Sequence, residues 1–251
     1  MSELEARVLE KTWFYRFLLP SGAVTRTYDD GALDQIHETR LRMMESALAH
    51  AFPGGLGGCS AVDLACHQGF FAMELAKLGC GDVLALDARR EHVDDAILVR
   101  DALGLARVQP EVCDVHDARA AQYGTHDVVL CFGLIYHLEN PVGALRRARE
   151  LCKGVCLVET QVVPNLSGPV DWGSYRFVKP LMGSFGIIDE TYETHGPEMS
   201  TTGICLAPST EALLWLMEAV GFTDVRLIAP PDGAYEQHRY GKRVMAFGRV
   251  P

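Results

Sequence analysis

Apolar positions along the chain change their period several times, and each change marks an element. The spacing over the first fifty residues is helical, with a break at Pro20-Ser21-Gly22. A second helix is expected from about Gly31 to Ala51, where Leu33, Ile36, Leu41, Met44 and Leu48 fall roughly on one stripe. The run Pro53-Gly54-Gly55-Leu56-Gly57-Gly58 ends it. Strands are then expected in SAVDLAC, DVLALD, RVQPEVCDV, DVVLCFGLIYHL and GVCLVETQVV. Between them, GFFAMELAKLG and EHVDDAILVRDALG read as helices stopped by Gly79 and Gly104. NPVGALRRARELC reads as a helix capped by Asn140, with Pro141 at its first position.

From Pro164 to about Pro208 the periodicity fails. A structureless loop of that length inside a compact domain is uncommon and usually functional, so it is expected to be an insertion, or lid, after the fifth strand. Order returns with the helix STEALLWLMEAVGF and two closing strands, DVRLIAP and RVMAFGRV. The repeated strand–helix order predicts an α/β fold: a doubly wound, mostly parallel sheet with helices on both faces. The organisation expected is a single domain over 1–251. It has an N-terminal helical cap (1–55), a core (56–163), the lid (164–208), and a C-terminal helix with closing strands (209–251).

Composition narrows the function classes. Hydrophobic residues make up 48% of the 251, enough for a sizeable core, and no apolar run is long enough for a membrane span. The stretch WFYRFLLP is short and interrupted by Arg16, so it is not a signal peptide. A formal net charge of −10 argues against a nucleic-acid partner, because phosphate backbones are repelled unless a local basic patch exists. The eight cysteines form no CxxC pair and read as reduced, mostly buried residues of a cytoplasmic protein. Monomer and homodimer both stay open.

The candidate chemistry lies at strand ends. VDLACHQGFF delivers Asp63 at the end of a strand, before a Gly-bearing turn that opens a helix. In an open α/β sheet, ligands bind outside the carboxyl ends of the strands, where helix N-terminal amides can accept an anionic group. Asp87 ends the second strand and could accept two ribose hydroxyls, while Asp114, after the third, could accept from an exocyclic amine. Three such acids suit a neutral or cationic nucleoside better than a dinucleotide.

Taken in order, VDLACHQGFF, VLALDA, PEVCDVHD and DVVLCFGLIYHLENP resemble the cofactor motifs of class I S-adenosylmethionine-dependent methyltransferases, whose fold is Rossmann-like. WFYRFLLPSG with Thr25, FGLIYHLENP followed by LVET, and APSTEALLWLMEAVGF resemble the branch related to the tRNA wobble-uridine carboxymethyltransferases. The resemblance implies S-adenosylmethionine as cofactor and S-adenosylhomocysteine as product. It implies that Asp63, Ala65, His67, Gly69 and Phe70 border the methionine part. Asp87 and Ala88 would border the ribose, Asp114 and Val115 the adenine, and Cys131, Phe132 and Gly133 the sulfonium. Two residues depart from the pattern: Ala65 and His67 stand where the superfamily prefers glycine. Ala65 is therefore expected to keep a negative φ.

Methyl transfer needs an aligned nucleophile and, for a hydroxyl, a base. His137 is the candidate base, or else a histidine that hydrogen-bonds its loop. Candidate substrate contacts are Arg26, Tyr28, Tyr136, Glu159, Trp172 and Tyr175. Glu159 could equally be a solvated strand-end charge, and Trp172, Tyr175 and Phe185 could be the lid's own core. Asp189, Glu190, Glu193 and His195 read as a solvated acidic loop rather than a metal site. The expected activity is methylation of an O or N atom of a small polar molecule, such as a natural product or sugar. A tRNA alkyltransferase and a non-catalytic cofactor-binding protein are the alternatives.

Overall fold

The computed structural model describes residues 1–170, 173, 179–190, 200 and 202–251. Helix α1 (Glu3–Glu10) opens on a capping box. The Ser2 hydroxyl accepts from the Glu5 N–H, and the Glu5 carboxylate accepts from the Ser2 N–H. The helix expected to continue beyond it is instead extended chain. Strand β1 (Thr12–Trp13) pairs in parallel with β2 (Arg26–Thr27). Trp13, Tyr15, Phe17 and Leu19 are buried, whereas Arg16 and Leu18 are exposed. That is a period of two, which the half-buried Phe14 and the exposed Leu18 had disguised as a continuous apolar run. Helix α2 (Asp34–Ala51) begins later than its apolar stripe suggests, because the Asp29 carboxylate accepts from the N–H groups of Gly31 and Leu33 and holds a turn there.

The alternation follows as expected: β3 (Ser60–Leu64), α3 (Phe70–Lys77), β4 (Asp82–Asp87), α4 (Arg90–Leu103), β5 (Val108–Val112), α5 (Ala120–Tyr123), β6 (His126–Phe132), α6 (Pro141–Leu151) and β7 (Cys152–Gln161). Asn140 caps α6 by accepting from Gly143 N–H, with Pro141 in the first turn. The segment expected to be structureless contains two antiparallel strand pairs, β8 (Gly168–Val170) with β9 (Lys179–Leu181) and β10 (Phe185–Asp189) with β11 (Ile204–Pro208). Strand β11 buries Cys205 and Ala207, and its Leu206 N–H donates to the Leu138 carbonyl. The chain closes with α7 (Thr210–Ala219), β12 (Thr223–Ile228), α8 (Glu236–Arg239) and β13 (Arg243–Arg249).

The central sheet has seven strands in the order β12-β13-β7-β6-β3-β4-β5, parallel except for β13, which is antiparallel to both neighbours. Alternate residues of one strand enter different cores. Ala61 and Leu130 join the cluster with α1 to α4, while Val62, Leu64, Val129 and Cys131 join the cluster with α6 and α7. The sheet is thus covered on both faces. Chain order reverses between β3 and β6, the switch point where α/β sheets bind ligands. Among the described residues, no helix is long and apolar enough to cross a membrane.

Candidate functional site

The carboxyl ends of β3 to β6 open on one cleft of about 980 Å³. Ala65, His67, Asp87, Ala88, Asp114, Val115, Phe132, Gly133, Tyr136 and His137, all singled out from the sequence, line it. Asp63 does not. It lies wholly buried beneath the floor, with one carboxylate oxygen lacking any partner. Burial, then the charge of Asp87, pushes its carboxyl up to about 8, so it is mostly protonated at neutral pH. Asp87 and Asp114 therefore meet at the cleft, and Asp63 does not.

The turn after β3 has a form the sequence reading did not expect. Ala65 has φ +59° and His67 φ +51°, both left-handed, where a negative φ was expected for Ala65. The turn is pinned to the next strand: the Cys66 N–H donates to the Leu86 carbonyl, and the His67 N–H donates to Asp87 Oδ2 at 2.9 Å. Gly69 and Phe70 do not line the cleft. Gly69 starts α3 at φ +80°, and a Cβ there would stand 3.1 Å from the Ala96 Cβ, so it serves the packing of α3 on α4. Phe70 stacks on Tyr15. Cys131 is also withdrawn: it is fully buried in the core on the α6 side.

Asp87 is already engaged. Its oxygens accept from the N–H groups of Arg89 and His67 and face His92 Nδ1 at 3.1 Å. Burial raises its pKa, but the His92 contact and the two backbone N–H bonds outweigh this and hold it below the usual carboxylate range. A carboxylate has roughly four lone-pair positions, so about one is left for a ligand hydroxyl. Asp114 is more open, with its Oδ1 accepting from the backbone N–H of His116.

Arg26 and Tyr28 do not line the cleft. Phe14 and Tyr15 do, together with Ile36, His37 and Arg40 of α2, because the parallel β1–β2 pairing leaves Tyr28 packed on Phe14. Sequence reasoning missed this wall because it took the segment for a helix. Burial, then Arg40, holds the His37 imidazole down to about 3, so it is neutral.

Glu159 is not a solvated strand-end charge and does not line the cleft. It is completely buried, with Arg40 Nη2 at 2.9 Å, Arg243 Nη1 at 3.2 Å and His238 Nε2 at 3.1 Å. Burial opposes its ionisation, but Arg40 and Arg243 overcome that and hold it far below the usual carboxylate range. Both arginines also line the cleft. Arg40 passes close beneath Gly133, and Arg243 Nη2 donates to the Tyr136 hydroxyl.

Glu190 overturns its reading as part of a solvated loop. It is buried, and its Oε1 and Oε2 lie 2.6 and 2.7 Å from His137 Nδ1. The Ser200 N–H also donates to it. Burial raises its pKa, but the His137 contact leads the effects that bring it below the usual range, so Glu190 is an acceptor. Because an ionised carboxylate only accepts, His137 carries its proton on Nδ1 when neutral, which leaves Nε2 as the basic nitrogen. Cys205 completes a group whose donor atoms lie within 4.8 Å of one another. Burial pushes its thiol up to about 11, so it is protonated. Trp172, Tyr175, Glu193 and His195 lie outside the described residues.

The cleft fits a nucleoside cofactor: it has room, an acid at each of two adjacent strand ends, and an exposed acceptor in Asp114. Comparisons point the same way. Residues 56–171 match the family described as Methyltransferase domain. The chain is 28% identical over 121 residues to a ubiquinone biosynthesis O-methyltransferase of Acinetobacter baylyi, covering 48% of each chain. It is 24% identical over 186 residues to a tRNA U34 carboxymethyltransferase of Desulfotalea psychrophila, covering 73% of this chain and 51% of that one. The chain thus spans about half the length of these curated relatives. The N-terminal domain of EvdMO1, solved with S-adenosylhomocysteine, superposes with a TM-score of 0.72 at 22% identity, over 100% of this chain and 98% of that one. A magnesium protoporphyrin IX methyltransferase of Synechocystis superposes at 0.57 with 15% identity, over 87% and 86%. In its matched domain and its sheet order, this chain resembles the class I S-adenosylmethionine-dependent methyltransferases.

Proposed function

We propose that the protein transfers a methyl group from S-adenosylmethionine to an O or N atom of a small polar molecule. The observation that carries this reading is that one cleft is lined by the acids Asp87 and Asp114 together with His137. Bound S-adenosylmethionine supplies a methyl carbon already activated by its sulfonium. The work left to the chain is to bind, align and exclude water. In this reading Asp114 accepts from the adenine amine, Asp87 holds the turn at His67 and offers its remaining acceptor position to the ribose, and Gly133 and Tyr136 flank the methyl. His137 takes up the proton of the nucleophile. The net charge of −10 favours a small molecule over RNA. Incubation with labelled S-adenosylmethionine and fractionated metabolites should give a labelled small product. Label recovered only in tRNA, or in nothing, contradicts the reading.

A second reading rests on the guanidinium pair. Among the described residues, two buried guanidiniums face the one negative charge of Glu159, which leaves positive charge beside Gly133. Buried charge without a counter-charge is costly, so an anionic group in the cleft would be favoured there. A carboxylated form of S-adenosylmethionine would supply one. Competition between the two cofactor forms decides: at least tenfold tighter binding of the carboxylated form supports this second reading.

A further inference from the structure

Glu190 and His137 come from different parts of the chain. His137 sits in the helical turn Ile135–His137 after β6, in the core. Glu190 directly follows β10, in the strand pairs inserted after β7. They meet because β11 docks on the turn, through the Leu206 N–H to Leu138 carbonyl bond. The carboxylate is almost inaccessible, whereas the imidazole is partly open and lines the cleft.

We infer that the nucleophile is a hydroxyl and that the inserted strands supply the positioning carboxylate of a His137–Glu190 dyad. The inference rests on methyl transfer as proposed above. A neutral amine attacks with its lone pair and can release its proton to water afterwards. An alcohol is a weak nucleophile until its proton begins to leave, so it needs a base in the transition state. The dyad is built for that demand. Glu190 fixes the Nδ1–H tautomer, leaving Nε2 to take the hydroxyl proton, and its charge stabilises the imidazolium that forms. The step balances: the oxygen lone pair forms the O–CH₃ bond, the C–S pair returns to sulfur, and the proton rests on Nε2 until water removes it.

Among the described residues, few other titratable groups lie near the imidazole. The Tyr136 ring lies 4.0 Å away and is held by Arg243, and Cys205 stands beside Glu190 as a protonated thiol. Glu139 lines the same cleft from the following loop, as does His116, whose Nε2 is 3.0 Å from the Asn140 carbonyl. None of the other four contacts Nδ1 as Glu190 does.

The test compares wild type, Glu190→Gln and Cys205→Ser across pH, with an alcohol substrate found by the labelling screen. Glu190→Gln should lower the plateau rate about a hundredfold and move the acid limb of the rate to lower pH, because the imidazolium loses its counter-charge. Binding of S-adenosylhomocysteine should stay within about twofold, and ¹⁵N imidazole spectra should show the Nδ1–H tautomer of His137 in wild type and its loss in the variant. Cys205→Ser should keep the wild-type limb, and a chelator should change nothing. A lowered plateau with an unmoved limb assigns Glu190 a merely structural role and overturns the inference. Loss of activity in Cys205→Ser or with chelator, restored by zinc, overturns it in favour of a His137–Glu190–Cys205 metal site. An amine as the only accepted nucleophile also overturns it while leaving methyl transfer intact, and absence of transfer by wild type refutes the reading beneath it.

Discussion

Arg243 Nη2 donates to the Tyr136 hydroxyl at 2.9 Å, and the same guanidinium lies 4.9 Å from the centre of the Tyr136 ring. One strand of the sheet thereby braces a cleft-lining ring from behind. Tyr136→Phe removes an acceptor from a buried cation while keeping the ring. It should cost about 1–3 kcal/mol of stability, read by thermal unfolding. S-adenosylhomocysteine affinity should change little.

Glu159→Gln should be far more damaging. Among the described residues Glu159 is the carboxylate that Arg40, Arg243 and His238 share, so removing its charge leaves buried guanidinium charge without that partner, at a cost of about 3–5 kcal/mol. For a chain of this size that lowers Tm by about 10 °C. The pH dependence has a definite sign. The folded-state pKa of Glu159 is depressed below its ordinary 4.5, so its contribution is fully present above that pH and is lost as pH falls toward the folded value. Wild type should therefore lose the advantage it holds over Glu159→Gln as the solution is acidified below about pH 4.5.

Asp63 has the opposite sign. Its carboxyl is raised from 3.8 to about 8, so the folded state keeps a proton that the unfolded chain has released. This destabilises the ligand-free protein progressively between those values. Asp63→Asn keeps the shape and removes the titration. Its Tm should exceed that of wild type by a few degrees at pH 8, with the two converging near pH 4.

Ala65 occupies a left-handed conformation that glycine adopts without strain. Ala65→Gly should stabilise the protein by about 1 kcal/mol, the usual left-handed penalty less the extra chain entropy of glycine. Thermal unfolding of the two proteins checks this. A drop in stability would mean that the turn is not held as described.

The sheet and its helices were legible because each strand of the core is a short apolar run and each helix carries its own cap or stop. That Asp87, Asp114, Gly133 and His137 gather at one cleft was legible because strand ends are where such sheets open clefts. Three things were not. The extended path from Trp13 to Leu19 alternates with period two, but apolar Phe14 and Leu18 at its intervening positions hid the alternation. Glu159 and Glu190 looked like surface acids because their partners, Arg40, Arg243 and His137, lie 53 to 119 positions away along the chain, and only the fold brings them together. Gly69 and Cys131 sit within recognisable motifs, yet their side-chain positions face the packing of α3 on α4 and the core under α6, not the cleft.

The central claim is that the cleft above Asp87 and Asp114 holds an S-adenosyl nucleoside, and calorimetric titration with S-adenosylhomocysteine tests it most directly. Asp114 is exposed, so Asp114→Ala should leave the fold intact. Wild type should bind one equivalent per chain, and the variant should bind about tenfold more weakly, the loss of one charged hydrogen bond. No heat of binding in wild type, or equal affinity in Asp114→Ala, would contradict the account.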